Sequence, residues 1–210
     1  NLVITDGRSL NLVSTDGAAS TILDGGNIDS VLYLSGSSDG WPTDGRLIQV
    51  SGFTIQNGLA SNNAGGGIHV FRHDLDLDSC ILRDNTSMYG GGVYVEYGTL
   101  TVSNCEFHSN QASSSNGNEP QGGGICTSYA TAMINDTRFS GNSCGLSGDY
   151  GGIGGAIACA FDTSNFLTVS NSNFTDNYAG NRGGAIQTHS TGDNVTISSC
   201  VFSNNSSRDG

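Results

Sequence analysis

The sequence predicts an all-β fold, a right-handed parallel β-helix (a solenoid) of roughly seven coils, and three observations predict it. First, a glycine tract recurs as Gly65-Gly66-Gly67-Ile68, Gly90-Gly91-Gly92-Val93, Gly122-Gly123-Gly124-Ile125, Gly154-Gly155-Ala156-Ile157 and Gly183-Gly184-Ala185-Ile186. Second, another tract trails each of these: Leu82-Arg83-Asp84-Asn85, Phe107-His108-Ser109-Asn110, Phe139-Ser140-Gly141-Asn142, Phe174-Thr175-Asp176-Asn177 and Phe202-Ser203-Asn204-Asn205. Third, the runs Leu75-Asp76-Leu77, Leu100-Thr101-Val102, Leu167-Thr168-Val169 and Val195-Thr196-Ile197 alternate with period two and favour β-branched residues, the pattern of half-buried strands.

The elements follow in order. Residues 1–60 form irregular first coils, in which Thr21 to Gly25 and Val50 to Gly58 keep the strand pattern without the glycine tract. Residues 61–210 form regular coils, so the whole chain reads as one β-helix domain. Its variable lengths fall mostly after the Phe-x-x-Asn tract, as in Gln111 to Gln121 and Ser143 to Ile153, and a solenoid permits such loops at one corner. Short Asn/Ser corners such as Ser103-Asn104 and Asn171-Ser172 bond their own backbone. Stacked coils place like on like. Leu82, Phe107, Phe139, Phe174 and Phe202 form one inward ladder, and Ile68, Val93, Ile125, Ile157 and Ile186 another. Asn85, Asn110, Asn142, Asn177 and Asn205 turn a corner with amides bonded coil to coil. The chain opens on the strand-like Asn1-Leu2-Val3-Ile4 and stops at Asp209-Gly210, so it is expected to be an excerpt of something longer.

Composition narrows the function. The net charge is -12, and all 7 cationic residues are arginines scattered from Arg8 to Arg208. Without a basic patch the chain does not fit a nucleic-acid partner or an anionic membrane surface. No apolar run is long enough to insert this segment in a bilayer. Six N-x-S/T sequons, at Asn85, Asn135, Asn173, Asn194, Asn204 and Asn205, are candidate glycan acceptors. Together with 6 cysteines they point to a secreted, cell-surface glycoprotein. Cys80 and Cys105, stacked neighbours facing inward, are one candidate disulfide pair, and Cys126 and Cys144 flank one coil as another. Cys159 and Cys200 are left over as buried thiols. The absence of a C-x-x-C pair argues against zinc.

The chemistry-bearing residues are few. Asp74, Asp76 and Asp78 alternate onto one outward face, with His73 and Arg83 near in sequence, and are either a Ca²⁺ or carboxylate site or a solvated strand face. Glycine alignment puts His69 and Tyr94 in one outward column over Cys126 and Gln187. It puts Glu96 in a neighbouring column with Phe71 and His189. These six residues, His69, Asp74, Asp76, Asp78, Tyr94 and Glu96, are the candidate glycan-binding face. Trp41 lies in an irregular insertion and is either a sugar-stacking ring or a plug. A regular Thr-x-Thr array of the ice-binding kind is absent.

Gly-Gly-Ala-Ile at Gly154 and Gly183, with Phe-x-x-Asn at Phe107, Phe139, Phe174 and Phe202, resembles the repeats of chlamydial polymorphic membrane protein passengers. Similar repeats occur in pectin-lyase-like β-helix proteins. The resemblance covers residues 50 to 210 and implies surface adhesion. It also brings in polysaccharide lyases, which use Lys or Arg bases, and hydrolases, which use facing carboxylates with Gly-His-Gly and Arg-x-Lys motifs; none of these sets is present. The expectation is therefore a non-catalytic extracellular structural or adhesive solenoid. It would be part of a larger cell-surface protein or filament, with other copies or further coils as partners and no cofactor. A carbohydrate-binding or polysaccharide-degrading β-helix is the alternative, and an ice-binding solenoid the third reading.

Overall fold

The computed structural model describes residues 2–5, 9–36, 46–61, 65–114, 117–145, 151–160, 165–188 and 194–209. Among them the secondary structure is strand and turn without a helix, and the strands pair in parallel. They build three sheets of 12, 7 and 5 strands. The seven-stranded sheet takes one short strand from each turn of the chain, from Ile22–Asp24 to Val201–Ser203, so the described residues build seven coils. The first two coils, without glycine tracts, obey the same plan: Leu2–Ile4 pairs with Leu32–Ser35, and Leu10–Val13 with Leu47–Ser51.

Alternation decides which side chains face in. Ile68, Val93, Ile125 and Ile157 align in one column and are fully buried. Leu82, Phe107, Phe139, Phe174 and Phe202 align in a second. Its rings stack with centroids 4.9, 4.8 and 4.7 Å apart, the spacing of neighbouring strands. In the last coil the inward-column residues Val195, Ile197 and Phe202 are exposed, and so is Leu2 in the first.

The asparagine column is bonded throughout. Nδ2 of Asn85, Asn110, Asn142 and Asn177 donates to Oδ1 of the next asparagine at 3.0, 3.0, 2.9 and 2.8 Å. The same nitrogen donates to a carbonyl of the preceding coil, as Asn142 does to Phe107 at 2.9 Å. The same oxygen accepts the backbone N–H of the asparagine below, as Asn142 does from Asn110 at 3.2 Å. These amides are fully buried with their donors satisfied, which is the condition for keeping polar groups in a core.

Corners need the left-handed backbone region, and small polar residues supply it. Ser79, Asn104, Asp136, Asn171 and Ser199 hold one corner at φ of 48 to 54°. Asp84, Ser109, Asp176 and Asn204 hold the next with Gly141. The glycine tract is imposed by crowding. A Cβ on Gly91 would lie 2.5 Å from the carbonyl oxygens of Gln111 and Gly123, so only glycine lets the coils close there.

The expected disulfides are not formed: Cys80, Cys105, Cys126 and Cys144 are all thiols. Cys80 and Cys105 share an inward column with Thr137 and Ser172, and they behave as hydroxyls there. Cys80 Sγ donates to Asp78 O at 3.3 Å and Cys105 Sγ to Ser103 O at 3.1 Å, as Thr137 Oγ1 does to Asn135 O at 2.8 Å. The backbone N–H of Cys80 donates to Cys105 Sγ at 3.3 Å, and that of Thr137 to Ser172 Oγ at 3.1 Å. Cys126 is on the outward side of the long sheet with Tyr94 and Ala160, whereas Cys144 belongs to the five-stranded sheet and donates to Pro120 O at 3.1 Å.

Two outcomes are expected. Asn142→Leu strands buried donors on Asn110 and lowers stability in urea unfolding by about 3 kcal/mol, while the exposed Asn173→Ala changes it by less than about 0.5 kcal/mol. A maleimide applied to the native chain modifies Cys200 first, because Cys200 is intermediate in exposure and the other five thiols are buried.

Candidate functional site

The outward face of the 12-stranded sheet is where chemistry-bearing side chains collect. Its long strands Val93–Ser103 and Ile125–Asn135 each bend once, and the bend divides the face in two. Before the bend, register aligns His69, Tyr94, Cys126 and Gln187 as expected, and adds Tyr33 ahead of His69 and Ala158 between Cys126 and Gln187. Phe71, Glu96 and Ser128 form the neighbouring column. His189 and Trp41 lie outside the described residues.

His69 is held between two rings, edge-on to Tyr33 at 5.1 Å and stacked on Tyr94 at 5.5 Å. Both its ring nitrogens are buried without a hydrogen-bond partner, and burial pushes its pKa down to about 4. It is neutral at neutral pH, with no carboxylate orienting it as a base. Burial also pushes the Tyr94 phenol well above its ordinary value. Burial raises the carboxyl of half-buried Glu96, against the opposing pull of Arg72.

After the bend, Asp74, Asp76 and Asp78 do share an outward face, but they do not converge. Same-face neighbours on a strand stand roughly 6.8 Å apart, and each carboxylate has local donors. Asp74 accepts the Thr99 N–H at 2.8 Å, and Asp76 accepts Gln49 Nε2 at 3.3 Å. Asp78 accepts Asn104 Nδ2 and Ser103 Oγ, both at 2.9 Å, and these bonds lower its pKa. Asp76 and Asp78 line an open groove with Asn11, Gln49 and Ser51. Among the described residues no group of three or more His, Cys, Asp or Glu side chains is placed to hold a metal ion, so the aspartates do not make a Ca²⁺ cage. His73 is fully buried and Arg83 turns away to Gln56, so neither joins them.

The bend itself carries residues that motif reading missed. Arg72, Tyr97 and Tyr129 occupy it in successive coils, at φ of 58, 57 and 52°. At the other two corners serine, asparagine, aspartate and glycine fill this conformation; here bulky side chains do, at a cost of about 1–2 kcal/mol each. Tyr97 and Tyr129 stack at 4.9 Å, Phe71 meets Tyr97 edge-on at 5.9 Å, and the Arg72 guanidinium lies 4.9 Å from the centre of the Phe71 ring. Tyr129 is 44 % exposed, and Met133 and Phe166 beyond the bend are 43 % and 51 % exposed, so an apolar strip continues onto the aspartate side. The signal lay in the repeat. All three follow the third residue of the glycine tract by five positions, counting from Gly67, Gly92 and Gly124. Phe161 keeps that offset from Ala156 but lies outside the described residues.

The sequons separate by position. Asn85 and Asn205 are rungs of the ladder: the buried Asn85 Nδ2 donates to Ile55 O and Asn110 Oδ1, and the part-buried Asn205 Nδ2 donates to Phe174 O. Asn135 is half-buried; its Nδ2 donates to the Asp136 carboxylate and its Oδ1 accepts from Ser170 and Asn171. Asn173, Asn194 and Asn204 are exposed.

This stack of parallel coils defines the class. A family model described as a right handed beta helix region matches residues 49–209. The chain belongs to that family and is an all-β right-handed parallel β-helix, a repeat protein of the solenoid type. No curated protein and no solved structure compared with the chain matches it. No helix among the described residues is long and apolar enough to cross a membrane.

The bend column makes a sharp prediction. Tyr129→Gly removes one exposed ring but relieves the backbone, so urea stability should change by less than about 1 kcal/mol. Tyr129→Val, β-branched in a left-handed position, should lose about 2 kcal/mol or more. A loss of several kcal/mol in the glycine variant would mean that the column is a structural spine instead.

Proposed function

We propose that this chain is a non-catalytic, extracellular adhesive solenoid, one β-helix domain of a cell-surface glycoprotein, and that it contacts glycans through the aromatic bend. The observation that carries the reading is the column of Arg72, Tyr97 and Tyr129, kept in a strained backbone with rings presented outward. Strain retained at a surface position points to use. An aromatic strip rimmed by the hydroxyls of Thr99, Thr101 and Thr131 fits a ligand with apolar faces and a hydroxylated edge. The three exposed sequons suit the secreted location, and the matched tetrapeptides support kinship with the adhesive chlamydial passengers. Other copies or further coils are the proposed structural partners.

The alternative reading, a polysaccharide-degrading enzyme, draws on half-buried Glu96, whose raised carboxyl shares this face. His69 without a partner and the dispersed aspartates weigh toward binding without turnover. Ice binding draws little support: the row Thr99/Thr101 is followed by Thr131/Met133 and Phe166/Thr168, which break the threonine array.

The test is affinity electrophoresis and product analysis on a panel of neutral and acidic polysaccharides. Retardation without cleavage is expected, with Tyr97→Ala and Tyr129→Ala each weakening it about tenfold, or roughly 1.4 kcal/mol. Cleavage products that disappear in Glu96→Gln would establish the enzyme reading. No retardation by any glycan would contradict the adhesive one.

A further inference from the structure

We propose that His69 makes this face acid-labile: proton uptake by its imidazole opens the Tyr33–His69–Tyr94 stack and loosens the outer strand of the third coil, Ile68–Phe71, which leads directly into Arg72 at the aromatic bend. The step is a reversible protonation, with the proton drawn from solvent.

The geometry supplies the device. His69 is central in a four-residue strand clamped between two neighbours, Leu32–Ser35 and Val93–Ser103. Each neighbour closes one side of the imidazole with a tyrosine ring, at 5.1 and 5.5 Å. Tyr89 in turn packs on Tyr94 at 5.7 Å. Neither imidazole nitrogen has a hydrogen-bond partner in this buried setting. An imidazolium has two N–H donors that demand acceptors or water, and the closed stack offers none. Leaving such a charge buried is costly, so the ring takes its proton by reaching water.

The titratable and charged groups facing His69 do not compensate it. From the preceding strand the group is the Tyr33 phenol, and from the following strand the Tyr94 phenol, which burial holds well above its ordinary value. Glu96, two residues beyond Tyr94, has Arg72 as its charged neighbour. On the strand of His69 itself the nearest charge is Arg72, at the bend. His73, the other imidazole of this coil, is placed past the bend in register with Gly98 and Ala130, and Ala130 belongs to the core cluster.

The sign follows from burial. The folded-state pKa of about 4 lies below the ordinary 6.5. The contribution to stability is therefore complete above pH 6.5 and is lost as pH falls toward 4. Within that window each pH unit shifts the closed-to-open ratio up to tenfold toward open. The consequence for ligand release rests on the contact-surface reading above; the opening itself does not.

The experiment is hydrogen–deuterium exchange by mass spectrometry on the full chain without ligand, from pH 7 to pH 4.5, corrected for intrinsic exchange. Peptides covering residues 66–97 are compared with those covering 166–177 in the wild type and in His69→Phe, which keeps a ring but cannot take the proton. Protection of 66–97 is expected to fall up to tenfold per pH unit in the wild type and to stay level in His69→Phe. An equal fall in both regions, or the same fall in both proteins, would overturn the proposal. Should His69→Phe fail to fold, NMR titration of His69 in the wild type decides: an ordinary titration with unchanged protection of 66–97 would also overturn it. Glycan retardation measured at pH 7 and pH 5 then reports separately on the contact surface. Retardation at pH 7 that persists at pH 5 despite opening would uncouple the switch from the ligand without touching either measurement alone.

Discussion

Everything in this molecule depends on parallel, in-register stacking of successive coils at the strand spacing of about 4.8 Å. At that distance each side chain meets its counterpart above and below, and the counterpart must be compatible. Apolar residues meet this condition with ring stacks such as Phe139 on Phe174. A buried polar residue meets it only if it both donates and accepts along the axis, and asparagine does so with one amide. The column from Asn85 to Asn205 therefore fixes register as well as filling space, since a slip by one residue would face each amide with the wrong partner.

The same rule that orders the inside has consequences outside. Whatever sits at one outward position is repeated or contrasted one coil away, so a few residues become a surface. At the bend this produces the run Arg72, Tyr97, Tyr129, where backbone strain is tolerated because the neighbouring coils hold the chain on both sides. Two columns away the rule produces Tyr33, His69, Tyr94, where ring packing leaves an imidazole without partners. The proposed adhesion and the proposed acid response both concern this single face, and both are argued from geometry that stacking imposes.

The parts legible in the sequence were those where stacking demands identity. The glycine tract, the phenylalanine column and the asparagine column recur because their neighbours exclude other residues: a Cβ on Gly91 would meet two carbonyl oxygens at 2.5 Å. The irregular first coils were legible too, since Thr21 to Asp24 and Val50 to Gln56 keep the alternation. What stayed hidden was the side-chain set that depends on direction at a corner. Arg72, Tyr97 and Tyr129 differ in chemistry, and their shared offset from the glycine tract stands out as a set only beside their left-handed backbone. The cysteines misled for a related reason. Stacking brings Cys80 and Cys105 together, but the column they share with Thr137 and Ser172 turns each side chain back to a carbonyl of its own coil. Sequon matching could not tell the ladder amides of Asn85 and Asn205 from the exposed amide of Asn173, because the three-residue pattern carries no information on burial.

The most direct test of the stacking account is the exchange of the side-chain amide protons of Asn110, Asn142 and Asn177, followed by NMR in deuterated solvent. If these amides bond coil to coil, their protons exchange only through global unfolding, at the rate of the slowest backbone amides and together with one another. Exchange at the rate of exposed asparagine amides such as Asn173 would contradict the ladder, and with it the register on which both the core and the outward face depend.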